Sequence, residues 1–243
     1  MSPRYHALMK DTIQNKIAVV TGGTRGIGRA VVEQLLDAGV SVAICGRSQE
    51  SLDRTLRELE GRGRVVGAVA DVANSADVSR FFEFVDAQFG GLDFLINNAG
   101  VGVFRSVGEL TIDDWHRVID TNLSGVFYCS SAALSRFKAR GGGYVINISS
   151  LAGRNSFAGG AAYNASKFGL NGFSEALMLD HRNDGVKVSY IMPGSVSTDF
   201  GASGPADWKI APEDIADIVM MLLKTPGRTL ISRVEVRPSR PGK

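Results

Sequence analysis

Short apolar runs alternate with longer amphipathic stretches along all 243 residues of the chain. Runs at 16–21, 41–46, 64–70, 92–97, 143–149, 186–191 and 230–236 are near-continuous Val, Ile and Ala, the pattern of strands buried on both faces. Between them, positions 26–38, 50–61, 75–89, 111–138, 161–183 and 212–224 carry helical periodicity. Regular strand–helix alternation predicts an α/β fold: a doubly wound, seven-stranded parallel sheet with helices on both faces, built by right-handed crossovers. No low-complexity tract or repeat interrupts the pattern. The expected organisation is a flexible N-terminal extension at 1–14 and a single domain over 15–243.

Helix starts agree with the pattern. Thr111-Ile-Asp-Asp114 places a capping hydroxyl before two acids at the positive end of a helix dipole. Pro212-Glu-Asp puts proline in a first turn, where its missing N–H costs nothing.

Composition narrows the function classes. Net charge is +2, which gives no reason to expect a nucleic-acid partner. Neither a secretory leader nor an apolar stretch of membrane-spanning length is present, so the expectation is a cytoplasmic protein with no membrane partner. Cys45 and Cys129 lie in apolar stretches and read as buried, unpaired thiols. His6, His116 and His181 lack metal-ligand spacing, and no metal site is expected. Asp113-Asp114 reads as a helix start, and Met220-Met221 as part of a core helix face.

The first strand runs into Thr21-Gly-Gly-Thr-Arg-Gly-Ile-Gly28, and a helix follows at once. Glycines at 22, 26 and 28 allow a sharp turn and a close approach of backbone to a pyrophosphate, which the helix N-terminus would then bind. A ligand-free tight turn has the same signature. Position in the first βα unit of an alternating chain favours a dinucleotide. An NAD site usually carries an acid at the end of the second strand, but here the residues are Ile44-Cys-Gly-Arg-Ser48. Arg47, with Arg25 in the loop itself, suits a ribose 2′-phosphate, so NADP is the expected cofactor.

Tyr163-Asn-Ala-Ser-Lys167 sets a phenol and an ammonium four residues apart, on one face of a helix. Ser149-Ser150 closes the fifth predicted strand, at the sheet edge where open α/β folds bind ligands. With TGGTRGIG, Asp71-Val72, Asn97-Asn-Ala-Gly100, Asn122 within Thr-Asn-Leu, and Pro193-Gly194 followed by Val196 and Thr198, these residues appear in a specific order. Over about residues 15–236 the chain resembles the short-chain dehydrogenase/reductase family, single-domain enzymes on a Rossmann-type sheet.

That resemblance implies a tetrad of Asn122, Ser150, Tyr163 and Lys167, with Tyr163 as general acid/base. Ser150 would hold the substrate oxygen, Lys167 would anchor the nicotinamide ribose, and Asn122, mid-helix, would order a relay water. It also implies cofactor contacts from Gly22, Thr24, Arg25, Gly26, Ile27, Gly28 and Arg47, from Asp71 and Val72 at the adenine, and from Asn98, Ala99 and Gly100 at its ribose. Pro193, Gly194, Val196 and Thr198 would meet the nicotinamide. A phenol with a pKa near ~10 must shift by about three units, roughly 4 kcal/mol, to act as a base at neutral pH. A cation at ~4 Å in an effective dielectric of ~20 supplies that much, and Lys167 and the oxidised nicotinamide are the two cations expected there. The implied reaction is NADP(H)-dependent hydride transfer to or from a small carbonyl or secondary-alcohol substrate. Alternatives are an NAD-dependent alcohol or polyol dehydrogenase, or a non-catalytic NADP(H) sensor. An epimerase or dehydratase of the extended relatives would need a larger C-terminal domain than the chain has.

Two departures from the family pattern stand out. The segment between Thr198 and Pro212 is short and glycine-containing, which predicts an open pocket or one closed by a neighbouring subunit. The C-terminal Ile231-Ser-Arg-Val-Glu-Val-Arg-Pro lacks the glycine pair common in reductases of acyl-carrier substrates. Phe104, Phe157, Phe200 and Trp208 are candidates for an apolar substrate wall or for plain core. The stretches 111–138 and 161–183 resemble the helices that pair family members into homodimers or homotetramers.

Overall fold

The computed structural model describes residues 13–200, 204 and 206–240. Seven strands occur: β1 (Ile17–Thr21), β2 (Ser41–Gly46), β3 (Val65–Val69), β4 (Phe94–Asn97), β5 (Gly143–Ile148), β6 (Val186–Pro193) and β7 (Arg233–Val236). All pair in parallel, in the order β3-β2-β1-β4-β5-β6-β7. The helices are α1 (Gly26–Asp37), α2 (Gln49–Glu58), α3 (Ser75–Phe89), α4 (Ile112–Ile119), α5 (Gly125–Arg140), α6 (Ala161–His181) and α7 (Pro212–Leu223).

The continuous apolar runs serve two cores at once. In β1, Ala18 and Val20 face a cluster with Val31, Leu35, Ile215 and Val219 of α1 and α7. Ile17 and Val19 face the opposite cluster, with Phe82, Val85, Cys129 and Phe137 of α3 and α5. Alternating side chains of a strand covered on both faces need no polar positions, hence the unbroken hydrophobicity. The rule fails at the sheet edges: β3 and β7 are only partly buried, because each has a neighbour on one side alone.

Capping follows the sequence closely. Thr111 Oγ1 accepts from the Asp114 N–H, and the Asp214 carboxylate accepts from the Ala211 N–H at the start of α7. Ser48 and Asn74 cap α2 and α3. Three expectations need correction. Ile13 is buried in the core, and the Asn15 N–H donates to the Gly39 carbonyl, so the ordered domain includes residues assigned to the extension; residues 1–12 and His6 lie outside the described residues. Met220 is buried but Met221 is exposed, since consecutive positions on a helix point about 100° apart. The stretch 111–138 is not one helix: a π-helical turn, Asp120–Ser124, separates α4 from α5.

Both thiols are buried and unpaired, and burial pushes Cys45 up to about 12. Among the described residues there is no cluster of His, Cys, Asp and Glu that could hold a metal, and no helix is long and apolar enough to cross a membrane.

Candidate active site

The strand order reverses between β1 and β4, and the C-terminal ends of β1, β4, β5 and β6 open there into one cavity of about 1560 Å³. Every residue the sequence assigned to the dinucleotide lines it: Gly22, Thr24, Arg25, Gly26, Ile27, Arg47, Asp71, Val72, Asn98, Ala99, Gly100, Pro193, Gly194, Val196 and Thr198, with Gly28 directly beneath the loop as the one exception to direct lining. Ser150, Tyr163 and Lys167 line the same cavity; Asn122 does not.

The glycine loop is held from below. Gly22 and Gly26 have φ of +65° and +54°, conformations that disfavour a side chain. A Cβ on Gly28 would fall 2.3 Å from the Gly22 carbonyl oxygen and 2.4 Å from Asn98 Nδ2. Asn98 Nδ2 donates to the carbonyls of Thr21 and Gly22, at 3.0 and 3.1 Å, while Thr21 Oγ1 accepts from the N–H groups of Asn98 and Ala99. Asn98 therefore borders the cavity while its amide nitrogen is spent on fixing the loop. The loop–strand clamp through Thr21 had no sequence signal, because it joins residues far apart in the chain.

The start of α1 opens on the cavity. No side chain caps it at Arg25, and its first turn holds no acid. Its leading N–H groups lack intrahelical acceptors, which makes an anion site at the mouth of the cavity. Arg25 and Arg47 are exposed beside it, and Arg54 of α2 joins them on the wall. Arg54 was not anticipated, since only the packing of α2 brings it there. The residues present thus fit a phosphorylated dinucleotide. Thr198 stands over the loop, its methyl 3.2 Å from where a Cβ of Gly26 would sit. Asp71 Oδ1 accepts from the Ala73 N–H, and its own N–H donates to the Asp77 carboxylate.

At the other end, β5 delivers two serines with different fates. Ser149 also borders the cavity, but its Oγ donates to Asn171 Oδ1 of α6 at 2.6 Å. Ser150 faces the cavity, accepts from the Ala152 N–H at 3.1 Å, and lies near enough to the Tyr163 hydroxyl to favour its ionised form. Asn164 Nδ2 donates to the Ala152 carbonyl at 2.8 Å, binding the turn after β5 to the helix that carries Tyr163.

Lys167 is buried beside Tyr163, as the four-residue spacing predicts, with its ammonium 5.8 Å from the ring centroid. Nζ donates to the Ile148 carbonyl at 2.9 Å. Burial lowers Lys167 to about 8. Within the chain itself Tyr163 is raised, because desolvation of the phenolate outweighs the opposing Ser150 hydrogen bond. The ammonium itself is engaged with the Ile148 carbonyl.

A sign follows for stability. Folded Lys167 releases its proton near pH 8, whereas an unfolded lysine holds it to 10.5. Between those values the unfolded chain binds more protons, so stability rises with pH. From pH ~7.5 to ~9.5 the gain is about 2 kcal/mol. Urea unfolding of the wild type and of Lys167→Met at both pH values reads it out: the wild type should gain by that amount over the variant, and parallel curves would contradict it.

Asn122 sits in the π-helical turn, where widened backbone geometry re-aims its side chain. Its Oδ1 accepts from the Val101 N–H at 2.8 Å, and its Nδ2 donates to the Val101 carbonyl at 2.9 Å and to Ser166 Oγ at 3.1 Å. Asn122 therefore pins the loop after β4 to the helix of Tyr163, rather than lying in a regular helix as the periodicity implied. Asn97, the neighbour of Asn98, is buried in β4, where its Nδ2 donates to Asn147 Oδ1 at 2.9 Å.

The short chain dehydrogenase family model matches residues 16–207. The chain belongs to the short-chain dehydrogenase/reductase family. It is thus an oxidoreductase by family. It is 35% identical to a 3alpha-hydroxysteroid dehydrogenase of Mediterraneibacter gnavus over 196 residues, 79% of this chain and 78% of the relative. It is 32% identical to an uncharacterized oxidoreductase of Staphylococcus saprophyticus, over 93% of this chain and 98% of that one. Among solved structures, the Thermococcus sibiricus alcohol dehydrogenase complexed with 5-hydroxy-NADP superposes with a TM-score of 0.87 at 29% identity, covering 95% of this chain and all of that one. A metagenomic short-chain oxidoreductase in complex with NADP gives 0.84 at 35% identity, with the same coverage.

Proposed function

We propose that this short-chain dehydrogenase/reductase is NADP(H)-dependent and interconverts a carbonyl and a secondary alcohol, with Tyr163 as general acid and base. The observation that carries the reading is the joining of two half-sites in one cavity: the uncapped start of α1 with its arginines, and the Ser150–Tyr163–Lys167 group. Two NADP-containing structures among the similar ones support the choice of cofactor.

The glycine loop would hold the pyrophosphate, and Arg25 and Arg47 a 2′-phosphate. The bound cofactor supplies or removes the hydride. Ser150 and Tyr163 hydroxyls take the substrate oxygen as a pair of hydrogen-bond donors. As the carbonyl carbon is reduced, Tyr163 passes its proton to that oxygen; in the reverse direction it takes the proton back. The raised pKa keeps Tyr163 protonated at neutral pH, the form that reduction requires. Oxidation needs the phenolate, and for that the Lys167 charge beneath the ring must be retained. Asn122 acts by holding Val101 and Ser166 in place. Following NADPH absorbance with a panel of ketones and aldehydes tests the proposal; absence of turnover across the panel would reject it.

The chain is further proposed to self-associate through α4, α5 and α6, whose Ile112, Trp115, Phe127, Phe168 and Leu179 are exposed large apolar side chains. Light scattering should give a dimer or tetramer, and a monomer at micromolar concentration would refute it.

A further inference from the structure

The proposed reaction leaves the substrate open, and the wall around Tyr163 narrows it. Phe104, Phe157, Phe200 and Trp208 all border the cavity, and each is between 39% and 47% exposed. The ring of Phe104 meets Tyr163 edge-on at 5.6 Å between centroids, Phe200 flanks Tyr163 from another side at 5.8 Å, and Phe157 adjoins Phe104 at 5.9 Å. Phe104 and Phe200 beside Tyr163, with Phe157 next to Phe104 and Trp208 on the same cavity, bare an apolar surface at the reacting end.

The rings are also seated. A Cβ on Gly102 would lie 2.7 Å from the Phe104 ring and 3.2 Å from the Phe200 ring, so both rest on bare backbone. A Cβ on Gly160 would lie 2.7 Å from Phe157. A β-bridge between Arg105 and Gly160 fastens the Phe104 segment to the start of α6, two residues before the helix position preceding Tyr163. The wall and the catalytic hydroxyl therefore belong to one packed unit.

Resting on the function proposed above, we infer that the substrate is an uncharged ketone or secondary alcohol on a bulky, flat apolar body, aromatic or fused alicyclic, with the reacting oxygen at one end. Such a body stacks on the phenyl faces while its oxygen reaches Ser150 and Tyr163. A keto acid or a sugar would bring charge or hydroxyls against the phenyl faces, at a desolvation cost.

The test compares three probes with NADPH: a fused-ring ketone, acetone and pyruvate. The fused-ring ketone should have a kcat/KM at least tenfold above acetone and above pyruvate. Phe157→Ala and Gly102→Ala should each lower its kcat/KM about tenfold, mainly through KM, and change the acetone value less than threefold. Trp208 gives a second readout. In a Trp115→Phe background, where Trp208 is the remaining tryptophan, titration with the fused-ring ketone should change its fluorescence saturably. Preference for acetone or pyruvate, or equal loss on all probes in the variants, would overturn the inference while the oxidoreductase reading stood. Failure of every probe, with no fluorescence response, would count against both.

Discussion

Replacing Tyr163 by phenylalanine should lower carbonyl reduction by about 10³-fold while leaving NADPH affinity within about threefold. General acid catalysis by a positioned side chain contributes typically 10²–10⁴-fold, and the variant deletes only the hydroxyl that faces the Ser150 side chain. The ring itself packs against Phe104 and Phe200, so phenylalanine keeps those contacts and the fold. Single-turnover rates with prebound NADPH separate the chemical step from binding. Undiminished turnover would remove Tyr163 from the chemistry; a parallel collapse of NADPH binding would make its role structural.

The second large effect concerns the choice between the two nicotinamide dinucleotides. The double variant Arg25→Ala with Arg47→Ala should lose about 100-fold in affinity for NADPH and less than threefold for NADH. Charge-assisted hydrogen bonds to a phosphate are worth about 1.5–3 kcal/mol each, and two of them at a partly exposed site are discounted by solvent screening. Arg54, on the same wall, retains part of the attraction and makes the single variants milder than the double one. Raising salt should weaken NADPH binding in the wild type more than in the double variant. Titration of intrinsic fluorescence with each dinucleotide measures all of this, and equal wild-type affinities for the two would reject the NADP assignment.

Most of the scaffold was legible in the primary structure because its signals are local. Thr111 and Pro212 sit where their own hydrogen-bonding or backbone preference starts a helix. The runs now in β1, β2 and β5 are mostly apolar because two cores flank them. The glycine loop and the Tyr163–Lys167 pair were equally visible, since turn geometry and helical spacing are short-range properties. The misreadings are long-range. The partial exposure of β3 and β7 follows from strand order, which no single strand encodes. The break at Asp120–Ser124 arises because Asn122 reaches across to Val101, a contact made only when the loop after β4 folds over the helix.

The chain's order of residues by itself determined the strand–helix alternation, the phosphate-binding turn and the presence of a phenol one helical turn from an ammonium. Tertiary structure decided that Asn171 engages Ser149, that Arg54 joins the cavity wall, and that the rings of Phe104 and Phe200 flank Tyr163. It also set the direction of the Tyr163 shift within the chain itself. Spacing fixes which groups are neighbours, but the cost of removing charge from water depends on everything packed around them, and only the folded chain sets that.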